Sequence, residues 1–263
     1  MFVPPDARPS PMSPLDALAI FAAGLAAGTI NVIVGSGSLI TFPTLLALGY
    51  PPVLANVSNN VGLVPGNISA TVAYRGELVG QRRRLVQLGS ASLLGGLLGA
   101  VLLLALPGSV FKAAVPPLIA LASVLMALQP RLSAGLERRG ERSAAGGWVL
   151  LLGVFLTGVY GGYFGAAQGV ILIALLAIFI DDDLQRLNGT KNALALTVNA
   201  VAAVVFVAST HIDWSVAGLI AGGSMIGGQI GGRLGRRLPA PVLRGCIVIV
   251  GLGVAVGLAV EWR

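Results

Sequence analysis

Residues 56–67 read NVSNNVGLVPGN, and residues 188–199 read NGTKNALALTVN. Asn56, Asn60 and Asn67 recur as Asn188, Asn192 and Asn199 at a constant spacing of 132 residues, and Ser58 recurs as Thr190. The same spacing carries Gly95-Gly96 and Gly99 onto Gly227-Gly228 and Gly231. It carries Leu106-Pro107 onto Leu238-Pro239, and Val110 and Lys112 onto Val242 and Arg244. Upstream the spacing is 130 residues, where Gly28 and Gly35 match Gly158 and Gly165. Biased composition would explain the glycine matches, since the chain holds 37 Gly. It does not explain three asparagines in register. The chain is therefore read as an internal duplication.

The surroundings of the two copies set the class. Of 263 residues, 56% are hydrophobic and only 10% charged, against about 25% charged in soluble domains. Mean hydropathy is +0.89. So few charges cannot cover a chain of this size in water, whereas lipid demands no polar cover. The formal net charge of +7 does not point to nucleic acid, because the basic residues sit in short clusters between apolar runs. The single Cys246 excludes an intramolecular disulfide and a thiolate metal site. No HExxH or GxSxG motif and no Cys–His pairing occurs, so no enzyme and no cofactor is expected.

Apolar runs lie at roughly 15–34, 39–49, 53–74, 85–106, 110–129, 147–164, 168–180, 191–209, 214–232 and 242–260. Eight are long enough, or nearly so, to cross a bilayer as helices of about 20 residues. The runs 39–49 and 168–180 are too short. Each follows a glycine-rich break, Gly35-Ser36-Gly37-Ser38 or Gly161-Gly162-Tyr163-Phe164-Gly165. The expected fold is an all-α integral membrane protein of two repeats, each of about five helical segments with the second short or re-entrant. Residues 1–14 are expected to form an extended arm, 15–129 the first repeat, 130–146 a cytoplasmic linker and 147–263 the second repeat.

Loop charge orients the repeats. Arg75, Arg82, Arg83 and Arg84, then Arg131, Arg138, Arg139 and Arg142, then Arg233, Arg236, Arg237 and Arg244, mark three cytoplasmic loops. The loops near 108–112 and 209–214 hold one Lys and no Lys or Arg respectively, and read as external. Equivalent loops thus fall on opposite sides, and the repeats are expected to be inverted, with both termini external.

The candidate site is drawn from the breaks and the asparagines. Gly35, Ser36, Gly37 and Ser38 precede a helix start, where unpaired N–H groups and the dipole favour an anion. A small-residue packing seam is the alternative. Gly165 and Gln168 stand at the matching break. Asn56, Asn60 and Asn67 fall within about 40° of one another on a helix, as do Asn188, Asn192 and Asn199. They read as interhelical hydrogen-bonding groups or as the lining of a path between the repeats. Lys191 either contributes charge to a site or snorkels to the cytoplasmic surface. Asp181-Asp182-Asp183 reads as ordinary helix-start acids, and His211 as an exposed loop residue. No metal site is expected.

Gly28-x-x-Asn31-x-x-x-Gly35-Ser36-Gly37-Ser38-Leu39-Ile40-Thr41-Phe42-Pro43, then Ala55-Asn56-Val57-Ser58-Asn59-Asn60 and Tyr74-x-Gly76, resemble the motifs of the TauE/SafE family. In the second copy Gly158-x-x-Gly161-x-x-x-Gly165, Asn188-Gly189-Thr190-Lys191-Asn192 and His211-Ile212-Asp213-Trp214 continue the resemblance. It covers nearly the whole chain after residue 15. It implies a multi-pass plasma-membrane permease for small sulfur-containing or organic anions such as sulfite and sulfonates, coupled to a proton or sodium gradient. Ser36 and Ser38 depart from the all-glycine first break common in that family, which leaves the anion open. The expected partners are a small anionic substrate and the lipid bilayer, and the sequence leaves oligomeric state open. An anion channel, or a non-transporting scaffold on the same fold, is the alternative.

Overall fold

A computed structural model describes residues 12–137 and 146–234. The expectations for most of the N-terminal arm, for 138–145, for Cys246, for the run 242–260 and for nearly all of the loop 233–244 lie outside the described residues. The order is α1 (Pro14–Ile33), α2 (Ser38–Ala47), α3 (Pro52–Ala73), a short 3-10 turn (Arg75–Leu78), α4 (Arg82–Ala105), α5 (Gly108–Glu137), α6 (Gly146–Tyr163), α7 (Gln168–Phe179), α8 (Leu184–Ser209) and α9 (Trp214–Leu234). No strand occurs among the described residues.

Local sequence explains the ends. Ser13 and Asp16 form a reciprocal capping box, with Pro14 in the first turn, so α1 starts there. Both broken helices stop in the same way. The N–H groups of Val34 and Gly35 donate to the Ile30 carbonyl, and those of Phe164 and Gly165 donate to the Tyr160 carbonyl. Gly35 and Gly165 take φ of +86° and +81°, the left-handed conformation that glycine reaches without a Cβ penalty. At about 1.5 Å per residue, α2 and α7 cover roughly half of a hydrocarbon core of about 30 Å.

Among the described residues four helices are long and apolar enough to cross a membrane: α1, α4, the part of α5 from Gly108 to Leu128, and α8. Of the eight expected runs, seven lie within the described residues, and three of those fall short for an identifiable reason. α3 and α9 have the length, at 22 and 21 residues, but α3 is interrupted by Asn, Ser and Gly, and α9 by Gly, Ser and Gln. The apolar part of α6 is one of the shorter helices. Helical backbone in α5 also continues to Glu137, into the stretch expected to be linker.

Helices from the two ends of the chain pack against each other. α9 packs on α1 and α3, while α4 packs on α6 and α8. The same residues make the matching contacts. Gly95 and Gly99 abut the carbonyls of Phe155 and Val159, and Gly227 and Gly231 abut those of Leu25 and Thr29. Gly28 lies against Ser224, and Gly158 against Ser92. Such backbone-to-backbone crossings need small residues, because helices in lipid associate through close packing rather than through exclusion of water. α3 and α8 pack together, which puts both asparagine sets in the interior. The outside is apolar: Leu94 and Val101 on α4, Leu121 and Val124 on α5, Leu156 on α6 and Val204 on α8 are all exposed. A large exposed apolar surface of this kind suits lipid and not water.

Candidate functional site

The two breaks meet. The Gly169 N–H donates to the Gly35 carbonyl at 3.0 Å. A Cβ built on Gly35 would lie 2.5 Å from the Gly169 Cα, so backbone touches backbone. On one side a cluster of edge-packed rings, Phe42, Phe111, Tyr163 and Phe164, walls this crossing. The start of α7 is strained: Ala167 holds φ of +58°, a conformation costing a non-glycine residue roughly 1–2 kcal/mol.

The N–H groups at the two short-helix starts are largely engaged by the chain. The Gly37 N–H donates to Asn31 Oδ1 at 3.3 Å. Leu39 and Ile40 bond back to Ser36 and Gly37, and Gln168 and Val170 bond to Gly165 and Ala167. Ser36 is buried and its hydroxyl donates to the Met126 sulfur at 3.5 Å. Ser38 is the first residue of α2 and is half-buried. The unpaired donors at this crossing are therefore mainly side-chain amides.

Those amides form a network across the repeats. Asn31 Nδ2 donates to Asn67 Oδ1 at 2.6 Å, and Asn60 Nδ2 donates to Asn199 Oδ1 at 3.3 Å. Asn56 instead turns to the last carbonyl of α6, at Tyr163, 3.1 Å away. Asn188 donates to the Tyr74 hydroxyl at 3.1 Å. The buried Nδ2 groups of Asn67 and Asn192 and the Nε2 of Gln168 have no partner among the described residues, nor do the Oδ1 atoms of Asn59 and Asn60. Buried polar groups are normally paired, so this concentration of open amides marks the centre as a polar site. Gln168 lies against Gly161. Gly161 is the repeat counterpart of Asn31, and Gln168 that of Ser38. Each half thus supplies one amide to its break, from the long helix in one and from the short helix in the other.

Lys191 neither snorkels nor reaches a carboxylate. It is 1% exposed, and its Nζ donates to the carbonyls of Asn31 at 3.4 Å and Val32 at 3.2 Å. A cation at the C-terminal end of α1 meets the negative end of the helix dipole. Its repeat counterpart is Asn59.

Two latches flank the centre, again at matched positions. The Ser58 hydroxyl accepts from the Asp213 N–H at 3.0 Å, and the Thr190 hydroxyl donates to Gln81 Oε1 at 2.9 Å. Beside the second latch, Arg84 and Arg186 both reach Asp182, at 2.7 and 2.9 Å. Partial burial raises the Asp182 pKa, but hydrogen bonds from Arg84 and the Asp183 N–H, with the two arginine charges, outweigh it and hold the carboxyl below its usual range. Asp183 caps α8 by accepting from the Gln185 N–H, and His211 is exposed.

Of the residues expected from sequence, Gly35, Gly165, Gln168, Asn60, Asn67, Asn192 and Asn199 frame the centre. Ser36 and Asn56 are turned to structural partners. Asn31, Asn59 and Gly169 were not singled out, although Asn31 stood in the first motif and Asn59 is the repeat counterpart of Lys191.

Broken helices crossing beside buried amides, inside an apolar helical shell, mark a helical membrane protein with a polar interior. Residues 20–258 match the family model described as Sulfite exporter TauE/SafE, and the chain belongs to that family. It is 30% identical over 219 residues to a Haemophilus influenzae protein named "Probable membrane transporter protein", covering 81% of this chain and 82% of that one. It is 28% identical to the "Probable membrane transporter protein YfcA" of Escherichia coli, over 91% of this chain and 88% of that one. It is 29% identical to "Probable membrane transporter protein ORF9" of a Sinorhizobium species, over 92% of each. No solved structure matches the chain.

Proposed function

We propose that the protein is a secondary permease, not an enzyme, carrying small sulfur-containing or organic anions such as sulfite and short sulfonates across the plasma membrane. The carrying observation is the contact of two helix breaks, Gly35 on Gly169, beside buried amide donors of Asn67, Gln168 and Asn192 without partners. Neutral N–H donors bind an oxyanion without a fixed counter-charge, so binding is strong enough to load and weak enough to release. Lys191 supplies positive charge nearby; two of its three N–H bonds go to α1 carbonyls, leaving one donor. Gly35–Ser38 and Gly165 shape the pocket, and Asn56, Asn60 and Asn199 line the path.

The exchanged partnerships of α1 with α9 and α6 with α4 support two halves related by a two-fold rotation, and the loop charges support inversion across the membrane. Under that arrangement the Ser58–Asp213 latch faces outside and the Thr190–Gln81 latch faces the cytoplasm. Rocking one half against the other opens one latch while the second stays closed, which is alternating access. A proton or sodium gradient would drive the cycle.

Flux of sulfite and short sulfonates into proteoliposomes tests this reading. The expected result is saturable, gradient-driven flux that Asn192→Leu and Gln168→Leu abolish at unchanged protein abundance. Conductance without saturation would assign a channel instead. Absence of both flux and binding for every such anion would overturn the proposal.

A further inference from the structure

Away from the central crossing, a partly open cavity of about 500 Å³ lies between the start of α4, the start of α6 and the α7–α8 connection. Arg83, Arg84 and Arg186 line it. Arg84 and Arg186 share Asp182, and Arg83 takes no part in that pair. Arg83 is exposed and makes no hydrogen bond or ion pair among the described residues. The α4 start has no side-chain cap, which adds the positive end of a helix dipole to the cavity rim. The rest of the lining is largely apolar: Leu88, Leu150, Leu151 and Ile180. Exposed Trp148 and Val86, 67% and 64% accessible, flank it. An exposed Trp beside arginines is the side-chain mixture of a membrane–water interface.

We propose that this cavity holds the phosphate headgroup of an anionic phospholipid. The arginines recognise a phosphate bidentately, and the leucine wall covers the glycerol and the first methylenes of the chains. A free phosphate would gain nothing from that wall. Basic pockets between helices on the cytoplasmic side suit such headgroups, and the arginine-rich α3–α4 connection lies on that side by loop charge. The cavity adjoins the cytoplasmic latch, whose Gln81 also lines it, and lies apart from the amides of the central crossing.

The test is thermal unfolding of the purified full-length chain in neutral detergent, titrated with phosphatidylglycerol, cardiolipin, phosphatidylcholine or inorganic phosphate. Phosphatidylglycerol or cardiolipin is expected to raise Tm saturably, and phosphatidylcholine is not. Arg83→Gln, which breaks no internal bond, is expected to weaken the apparent lipid affinity about fivefold. Arg82→Gln removes the same charge one residue outside the cavity and leaves that affinity unchanged. Gln87→Glu, which places a carboxylate in the cavity, is expected to act in the same direction as Arg83→Gln. An equal rise with millimolar inorganic phosphate would assign the cavity to a small anion and overturn the lipid. Equal effects of the Arg82 and Arg83 variants, or no rise with any anionic lipid, would also overturn it.

Discussion

Asn31 joins more of the centre than any residue of the asparagine repeat. Its side chain accepts from the Gly37 N–H and donates to Asn67, while its carbonyl accepts from Lys191. Asn31→Leu would orphan the Asn67 Oδ1 and the Gly37 N–H together. Each buried group left without a partner costs about 1–3 kcal/mol, so the variant is expected to lose roughly 2–4 kcal/mol of stability. Asn67→Leu made in that background is expected to cost less than it does alone, because the partner has already gone. A double-mutant cycle on Tm in detergent measures this, and additive losses would contradict the hydrogen bond. Asn31 was hard to pick out from sequence because its counterpart is Gly161. The amide duty passes to Gln168 on the other helix, so residue-by-residue matching of the repeats does not find it.

At the scale of elements, the crossing of the two breaks depends on absent side chains. A Cβ on Gly169 would overlap the Gly35 Cα and sit 2.7 Å from its carbonyl oxygen. Both obstacles are backbone, which cannot swing aside. Gly169→Ala is therefore expected to destabilise by about 1–3 kcal/mol and to force α7 away from the break at Gly35. Gly218→Ala is the control: it lies inside α9 with nothing within 4 Å of its Cβ. There Ala is expected to be neutral or to stabilise by roughly 0.5–1 kcal/mol through helix propensity. Thermal melts of the two variants should shift in opposite directions, or one should not shift at all. The short helices themselves were legible in the sequence, and both appear within one or two residues of their expected bounds. That the Gly35 carbonyl, in the break before the first, accepts from the Gly169 N–H of the second was not legible, since nothing local encodes a contact between residues 35 and 169.

For the whole molecule, the proposed inversion of the two halves makes an accessibility prediction. The connection after α3 and the connection after α8 hold equivalent places in the repeats, yet should lie on opposite faces. In a chain carrying Cys246→Ser, His211→Cys is expected to react with an impermeant thiol reagent on intact cells. Arg82→Cys is expected to react only after permeabilisation. Labelling of both from the same side would remove the inversion and with it the two-sided latches. The loop charges carry this expectation because four arginines in 75–84 cannot cross the bilayer cheaply.

The sequence by itself determined the membrane class, the two broken helices and the residue types around them. Those follow from hydropathy over about 20 residues, from spacing and from glycine, all of which are written along the chain. Tertiary structure decided how the halves share their helices. It laid α4 on α6 and α9 on α1, turned Ser36 and Asn56 to structural partners, and buried Lys191 against the end of α1. Such contacts join residues 60 or more positions apart. Their choice rests on complementary backbone surfaces that exist only after the helices have formed.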